Sequence, residues 1–213
     1  MSKLAIRNGA ALRRLILTGT LAAAAGMMAT GAMAQAGFSD GYKFLESVKK
    51  KEGDKVEKAI MDSPLIVNTK DVSTGQTALH VVVARRDLTW LRYLVQHGAK
   101  VDLADDHGLT PLQMAVNLGW REGAAYLLEN HADTEVSNDA GETPLISAVH
   151  RRDTELMKAL LQAGADPDRS DNSGRSAREY AKEDGDAMLL RTINDNVQAG
   201  AGKKSKPVYG PTL

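Results

Sequence analysis

Five histidines and two acidic clusters are the side chains in this sequence that could do acid–base chemistry or bind a metal ion. The histidines are His80, His97, His107, His131 and His150, and the acidic clusters are Asp105-Asp106 and Asp166-Pro167-Asp168. Either chemistry requires imidazoles and carboxylates to converge on one point. The acidic clusters lack the ligand register and the distal glutamate of a calcium-binding loop, so we interpret them as solvated turn residues.

No catalytic sequence motif accompanies these side chains. The sequence contains no glycine-rich dinucleotide loop, no phosphate-binding loop, no Gly-x-Ser-x-Gly and no His-Glu-x-x-His. It also contains no cysteine, which excludes thiolate metal sites and disulfides. We therefore predict no catalytic residue, no metal site and no cofactor, and we do not expect the protein to be an enzyme.

A short motif recurs with a period of 33 residues and organises the chain. Its glycines are Gly75, Gly108, Gly141 and Gly174, and each is followed two residues later by threonine or serine. A fixed period of this length indicates a stacked-repeat protein. The five histidines occupy different positions of the period, so they do not align from one repeat to the next.

The residue types within one period predict a turn followed by two helices. Asp105-Asp106-His107-Gly108 predicts the turn, because glycine tolerates positive φ. Thr110-Pro111 predicts a helix start, since threonine caps helices and proline fits their first turn. A second helix is expected from Trp120 or Arg121 to Asn130-His131, where His131 replaces the glycine that suits a left-handed helix end.

These segments resemble the ankyrin-repeat family. The resemblance rests on segments such as Gly108-Leu109-Thr110-Pro111-Leu112-Gln113-Met114-Ala115, Thr143-Pro144-Leu145-Ile146-Ser147-Ala148 and Leu160-Leu161-Gln162-Ala163-Gly164-Ala165-Asp166-Pro167-Asp168. It implies an all-α solenoid of stacked helix-turn-helix units joined by short hairpin-like loops. It also implies that His80 bonds turn backbone and the helix-start threonine between neighbouring repeats.

The period and the resemblance divide the chain into segments. Full repeats are predicted at residues 72–104, 105–137 and 138–170, with a degenerate N-terminal capping repeat at 35–71 and a polar C-terminal capping repeat at 171–197. Residues 198–213 are expected to be a disordered tail. A continuous core strip is expected from Leu112, Ala115, Leu127, Leu128, Leu145, Ala148, Leu160 and Leu161.

The first 34 residues have the pattern of an export signal. Lys3, Arg7, Arg13 and Arg14 precede an alanine-rich apolar stretch that ends in Ala32-Met33-Ala34. We expect cleavage after Ala34, which would place the mature protein in the periplasm or outside the cell. An uncleaved membrane anchor is the alternative, although glycines and threonines dilute the stretch. Both the general secretory route and the twin-arginine route remain open.

The net charge of the expected mature chain limits the kinds of partner that it can bind. Removal of the first 34 residues leaves 23 basic and 27 acidic residues, a net charge of −4. Nucleic-acid binding requires clustered lysine and arginine, so we do not expect a nucleic-acid partner. We expect a monomer that binds a partner protein and keeps no stable membrane anchor after cleavage.

The resemblance implies that the concave face and the loop tips bind partners, through residues that flank the turn glycine and end the first helix. On this sequence these candidates are Arg85, Asp106, His107, Leu109, Asn117, Leu118, Asp139, Glu142, His150, Arg151, Asn172 and Arg175. Leu109 and Leu118 are expected to be exposed at the centre of this surface. Apolar residues surrounded by charged ones are typical of the centre of a protein interface. Trp120 either lies beside this surface or packs between helices, and packing between helices is also the alternative for Leu118 and for Trp90.

The sequence therefore predicts a non-catalytic protein-interaction module that is exported to the periplasm. The alternative is an accessory or protective subunit of an exported enzyme, for instance in envelope stress defence.

Overall fold

The computed structural model describes residues 40–200, with side chains described to residue 197. The chain separates into two compact units, Met1–Lys43 and Phe44–Leu213. Of the first unit only residues 40–43 are described, and they are helical. The predicted export signal and residues 201–213 of the predicted tail lie outside the described residues.

Residues 40–200 form ten α-helices and one 3-10 helix, with two isolated β-bridges and no extended strand. The α-helices are α1 (40–50), α2 (Gly53–Asp62), α3 (Ala78–Ala84), α4 (Leu88–Gln96), α5 (Pro111–Asn117), α6 (Arg121–Glu129), α7 (Pro144–His150), α8 (Thr154–Ala163), α9 (Ala177–Asp184) and α10 (Ala187–Gly200). The 3-10 helix covers Pro64–Asn68. This composition confirms the predicted all-α repeat solenoid.

Helices from neighbouring repeats pack in two rows. The first helices α3, α5, α7 and α9 form one row, and the second helices α4, α6, α8 and α10 form the other. The helix α10 runs to Gly200, three residues into the segment expected to be disordered. It packs on α8 and buries Leu189 and Ile193, which explains why this last segment is helical.

The helix boundaries follow from local capping chemistry. The Thr110 hydroxyl accepts a hydrogen bond from the Gln113 backbone N–H at 3.2 Å, and Pro111 occupies the first turn of α5. Trp120 is the N-cap of α6, so this helix begins at Arg121. After α6, His131 has a φ of 62°, in the left-handed region that favours glycine. This geometry confirms that His131 ends the helix in place of glycine.

The structure contains the predicted core strip, and one of its eight predicted residues is only partly buried. Seven of its eight predicted members are buried, namely Leu112, Ala115, Leu127, Leu145, Ala148, Leu160 and Leu161. Leu128 is half-buried and packs on the margin of this core. Trp120 is 6% exposed and belongs to the core, so of the two placements left open by the sequence the structure shows the one between helices.

His80 joins two repeats through both ring nitrogens. Its Nδ1 accepts a hydrogen bond from the Thr77 backbone N–H at 3.1 Å, so its Nε2 carries the proton and donates to the Leu109 carbonyl at 2.8 Å. This arrangement confirms the role that the sequence predicted for His80. Gln113, the equivalent residue of the next repeat, bonds Ser147 through its Nε2, and its buried Oε1 has no partner.

The Leu127→Asp variant should unfold far more readily than the native protein. Leu127 has no exposed surface, so the variant would bury an unpaired carboxylate. The loss in unfolding free energy should exceed the roughly 2–5 kcal/mol of a buried leucine-to-alanine change. Urea denaturation measures it, with Ala125→Asp, at an exposed site of the same helix, as the control. Equal losses in the two variants would contradict the placement of Leu127 in the core.

Acidification from pH 7 to pH 5 should lower the free energy of unfolding. Burial lowers the pKa of His80 below its ordinary value, so in this range the unfolded chain binds a proton that the folded chain does not. Stability therefore rises with pH up to the ordinary histidine pKa. The remaining four histidines are exposed. Denaturation at several pH values should show a positive slope that flattens in His80→Gln, and an unchanged slope in the variant would contradict this account.

Candidate functional site

Each repeat begins with a turn that is closed by an aspartate or asparagine side chain. Asp105 Oδ1 accepts the backbone N–H groups of His107 and Leu109, both at 2.9 Å. In the next repeat, Asn138 Oδ1 accepts those of Ala140 and Glu142, both at 3.0 Å. These bonds fix the turn backbone, so the residues between them project from an ordered support.

The first and last turns of the stack, at Asp71 and Asp171, are also closed by a carboxylate, which accepts hydrogen bonds from hydroxyl groups as well. Asp71 Oδ1 accepts the Ser73 hydroxyl at 2.6 Å, and this bond lowers the pKa of Asp71. Asp171 accepts the Tyr180 hydroxyl at 2.6 Å, which is the main reason that the pKa of Asp171 falls far below its usual range. Both carboxylates therefore remain charged and hold their turns closed well into the acidic range.

Backbone hydrogen bonds connect the four turns. We call residues 73–76, 106–109, 139–142 and 172–175 the tip row. Asp106 N donates to the Thr74 carbonyl at 3.1 Å, and Asp139 N donates to the His107 carbonyl at 3.2 Å. Asn172 N donates to the Ala140 carbonyl at 3.1 Å, and the Asn172 side chain donates to the Asp139 carbonyl at 2.9 Å. Each turn is therefore held by its neighbour as well as by its own repeat.

The tip row brings together seven of the twelve predicted binding residues. Five of them are exposed, namely Asp106, His107, Asp139, Asn172 and Arg175. His107 Nδ1 lies 3.7 Å from Asp139 Oδ2, and both side chains are largely exposed. Leu109 and Glu142 are half-buried. The exposure that the sequence predicted for Leu109 is therefore wrong, because this residue lies at the base of its turn and its carbonyl accepts the bond from His80.

The ends of the first helices are tied together by arginines. The Arg85 guanidinium donates to the Val48 carbonyl of the preceding repeat at 2.6 Å. Arg151 donates to the Asn117 carbonyl at 2.9 Å, and Arg86 donates to the Leu118 carbonyl at 2.6 Å. Arg85 and Arg151, which the sequence predicted to flank the partner contact, thus bond carbonyls at the C-terminal ends of neighbouring helices, where a cation is favoured.

Leu118 does not form an exposed apolar centre. It is half-buried and packs on the core, so the sequence prediction of an exposed Leu118 is wrong. Asn117, the preceding residue, is exposed. The structure therefore presents a polar helix end at the position where the sequence predicted an apolar contact.

A preorganised aromatic cluster occupies the last two repeats. The His150 and Tyr180 rings meet edge to face, with centroids 4.5 Å apart. The Arg175 guanidinium lies 4.6 Å from the Tyr180 ring centroid and pairs with Glu183 at 3.0 Å. Sequence reasoning singled out His150 and Arg175 and missed Tyr180. The sequence feature that could have identified Tyr180 is its aromatic ring at a first-helix position where the earlier repeats carry Val81, Met114 and Ser147.

Ion pairs also connect consecutive repeats near the start of the second helices. Arg121 pairs with Asp153 at 2.9 Å, and Arg152 pairs with Asp184 at 2.9 Å. Both arginines are exposed, so solvent screens each pair and its contribution to stability is small. The aspartate Asp153 also caps α8, which gives its carboxylate a second structural role.

Neither a metal-binding group nor a membrane-spanning helix occurs between residues 40 and 200. Within this range no three histidine or acidic side chains come together as metal ligands. None of its helices has the length and apolar character required to cross a membrane.

Fold and surface together define a helical repeat protein whose turns are ordered by hydrogen bonds between neighbouring repeats. Residues 44–138 match the family described as "Ankyrin repeats (3 copies)", and residues 127–181 match the family described as "Ankyrin repeats (many copies)". The chain belongs to the ankyrin-repeat family. Ankyrin repeats indicate a protein–protein interaction module, and proteins built from them are generally non-catalytic.

The Gly141→Ala variant should disrupt the tip row more than the Gly174→Ala variant. Both glycines have positive φ, 78° and 81°, so each substitution costs about 1–2 kcal/mol of backbone strain. A Cβ on Gly141 would also lie 2.6 Å from the Asn172 backbone nitrogen, whereas a Cβ on Gly174 meets open space. Urea denaturation should therefore show an additional loss of about 1–3 kcal/mol for Gly141→Ala. Equal losses would mean that the turns do not constrain each other.

Proposed function

We propose that the protein is exported to the periplasm, acts there as a monomer, and binds a partner protein through the tip row and the adjoining surface of the first helices. The observation that carries this proposal is the set of inter-repeat backbone bonds at Asp106, Asp139 and Asn172. They order the exposed side chains before any partner arrives. Preordered groups lose little conformational entropy on docking, so polar contacts from this surface stabilise a complex effectively.

The chemistry of the tip row indicates a polar partner surface. Asp106 and Asp139 are exposed carboxylates one repeat apart, and His107 lies beside the second of them. At the other end, the Arg175 guanidinium and the His150 ring both contact Tyr180, so an aromatic pair lies beside a cation. Tyrosine and arginine are enriched among the residues that dominate binding energy at interfaces. We therefore propose that the His150–Tyr180–Arg175 cluster is the strongest contact and that the tip carboxylates set orientation.

Export is proposed from the N-terminal sequence. The basic residues, the alanine-rich stretch and the terminal Ala32-Met33-Ala34 support cleavage by a signal peptidase. The absence of cysteine from the sequence means that folding requires no disulfide formation in that compartment. The mature protein would begin at Gln35.

A photocrosslinking amino acid at His107 should capture the partner in intact cells. His107 is exposed on the tip row, so a bound protein would lie within reach of the probe. The matched control places the same amino acid at Ala125, an exposed position on the second helix α6. The expected result is one dominant adduct at residue 107, recovered from the periplasm on a chain that begins at Gln35, with no such adduct at residue 125.

Two further variants test the aromatic cluster, and the position and the compartment of the adduct test the interface and export. Tyr180→Ala should weaken capture at residue 107 at least tenfold if the aromatic cluster dominates binding, whereas Tyr42→Ala, which removes an exposed ring from α1, should not. Capture at residue 125 instead of residue 107 would place the interface on the second helices. Recovery of the adduct only from the cytoplasm, or on an uncleaved chain, would refute export.

A further inference from the structure

A cavity of about 220 Å³ lies between the second helices α2 and α4, which do not carry the tip row. It is lined by Gly53, Asp54, Glu57, Thr89, Trp90 and Tyr93. Its volume is below the roughly 300–1,000 Å³ of pockets for drug-sized ligands, so it suits a single side chain or a molecule of that size.

Aromatic rings form the α4 wall of the cavity. Trp90 and Tyr93 meet edge to face, with centroids 5.8 Å apart and planes at 65°. The Arg85 guanidinium already lies 5.5 Å from the Trp90 ring centroid. A cation is attracted to an aromatic face within about 6 Å of its centroid. The indole is therefore placed in the structure as a cation-binding ring.

Carboxylates form the facing α2 wall. Asp54 and Glu57 are three residues apart on α2, so their side chains lie on one side of the helix. Within residues 40–200 neither carboxylate forms an ion pair, although nearby lysines do. Lys51 pairs with Asp87 at 2.8 Å, and Lys55 pairs with Glu52 at 3.0 Å. The two acids at the cavity thus carry negative charge that the described chain does not neutralise.

One residue of the cavity lining, Tyr93, carries an unsatisfied hydrogen-bonding group. The hydroxyl of Tyr93 is buried and has no hydrogen-bond partner. Burial, with a further contribution from the charge of Glu57, raises the pKa of Tyr93, so the phenol stays neutral. A buried hydroxyl without a partner is costly, and an N–H donor entering from the cavity side after a small movement of the ring would satisfy it.

We propose that the α2–α4 cavity binds the guanidinium group of an arginine side chain from a partner protein. An arginine supplies a planar cation that stacks on aromatic rings and a fork of five N–H donors that fits carboxylates. The cavity offers both acceptors, the rings of Trp90 and Tyr93 and the carboxylates of Asp54 and Glu57. This site is separate from the tip row, and it depends only on the protein-binding class of the fold.

The test uses the full mature chain and the capped peptide acetyl-Gly-Arg-Gly-amide. Titration is followed by the indole N–H signals in nuclear magnetic resonance spectra, where Trp90→Phe assigns the signal of Trp90. Trp120, which is buried in the core, provides the internal reference. The peptide should shift the Trp90 signal and leave the Trp120 signal in place. The double variant Asp54→Asn, Glu57→Gln should weaken binding about tenfold.

Three controls test whether binding depends on the position of the acidic residues, on the charge of the peptide and on the tip row. Asp62→Asn removes one negative charge from an exposed position at the end of α2, outside the cavity lining, and should leave the affinity unchanged. The citrulline peptide, which has the shape of the arginine peptide without its charge, should not bind. The Tyr180→Ala variant should bind the arginine peptide normally, so loss of the tip-row interface and loss of this site are distinguishable.

Three results would overturn the assignment. The first is an unshifted Trp90 signal, and the second is equal affinity for the arginine and citrulline peptides. The third is tighter binding of agmatine, a free amine with the same guanidinium group, by tenfold or more over the peptide, which would identify a small-molecule site. Circular-dichroism spectra of the variants establish that each is folded, and all substituted carboxylates are exposed on α2.

Discussion

The structure depends on contacts between repeats, because a single pair of short helices cannot bury its own apolar face. First helices such as α5 have only seven residues, which is too few for an isolated helix to be stable in water. Stacking buries Leu112, Leu127 and Leu145 completely, and the same stacking brings polar groups of adjacent repeats within bonding distance. Core packing and inter-repeat hydrogen bonding therefore form together.

The order of the tip row follows from this constraint. The bonds that run from Asp106 to Thr74, from Asp139 to His107 and from Asn172 to Ala140 use backbone groups, so they hold the turns in place whatever side chains the turns carry. Recognition can therefore vary through exposed side chains while the support remains the same. This separation explains how one scaffold serves different partners.

The sequence was sufficient to predict the scaffold, and it failed at positions where the answer depends on the neighbouring repeat. The glycine period and the Thr-Pro helix starts are local or periodic signals, and the structure confirms them. It also confirms the role of His80, which the resemblance to ankyrin repeats implied. The partial burial of Leu109 and Leu118 and the hydrogen bond of Arg151 could not be predicted in this way. Leu118 packs on the core and Arg151 reaches a carbonyl of the preceding repeat, and both contacts depend on the stacking register. Tyr180 was missed because the equivalent positions of the earlier repeats carry no aromatic residue, namely Val81, Met114 and Ser147.

Native-state hydrogen exchange at the tip row tests the central claim most directly. The account predicts that the backbone amides of Asp106, Asp139 and Asn172 exchange slowly, with opening free energies close to that of the Leu127 amide in the core, because breaking the inter-repeat bonds requires repeats to separate. Exchange of these three amides at the rate of exposed loops, while the Leu127 amide stays protected, would contradict it. The turns would then be mobile appendages of a rigid stack instead of an ordered surface made by the stack itself.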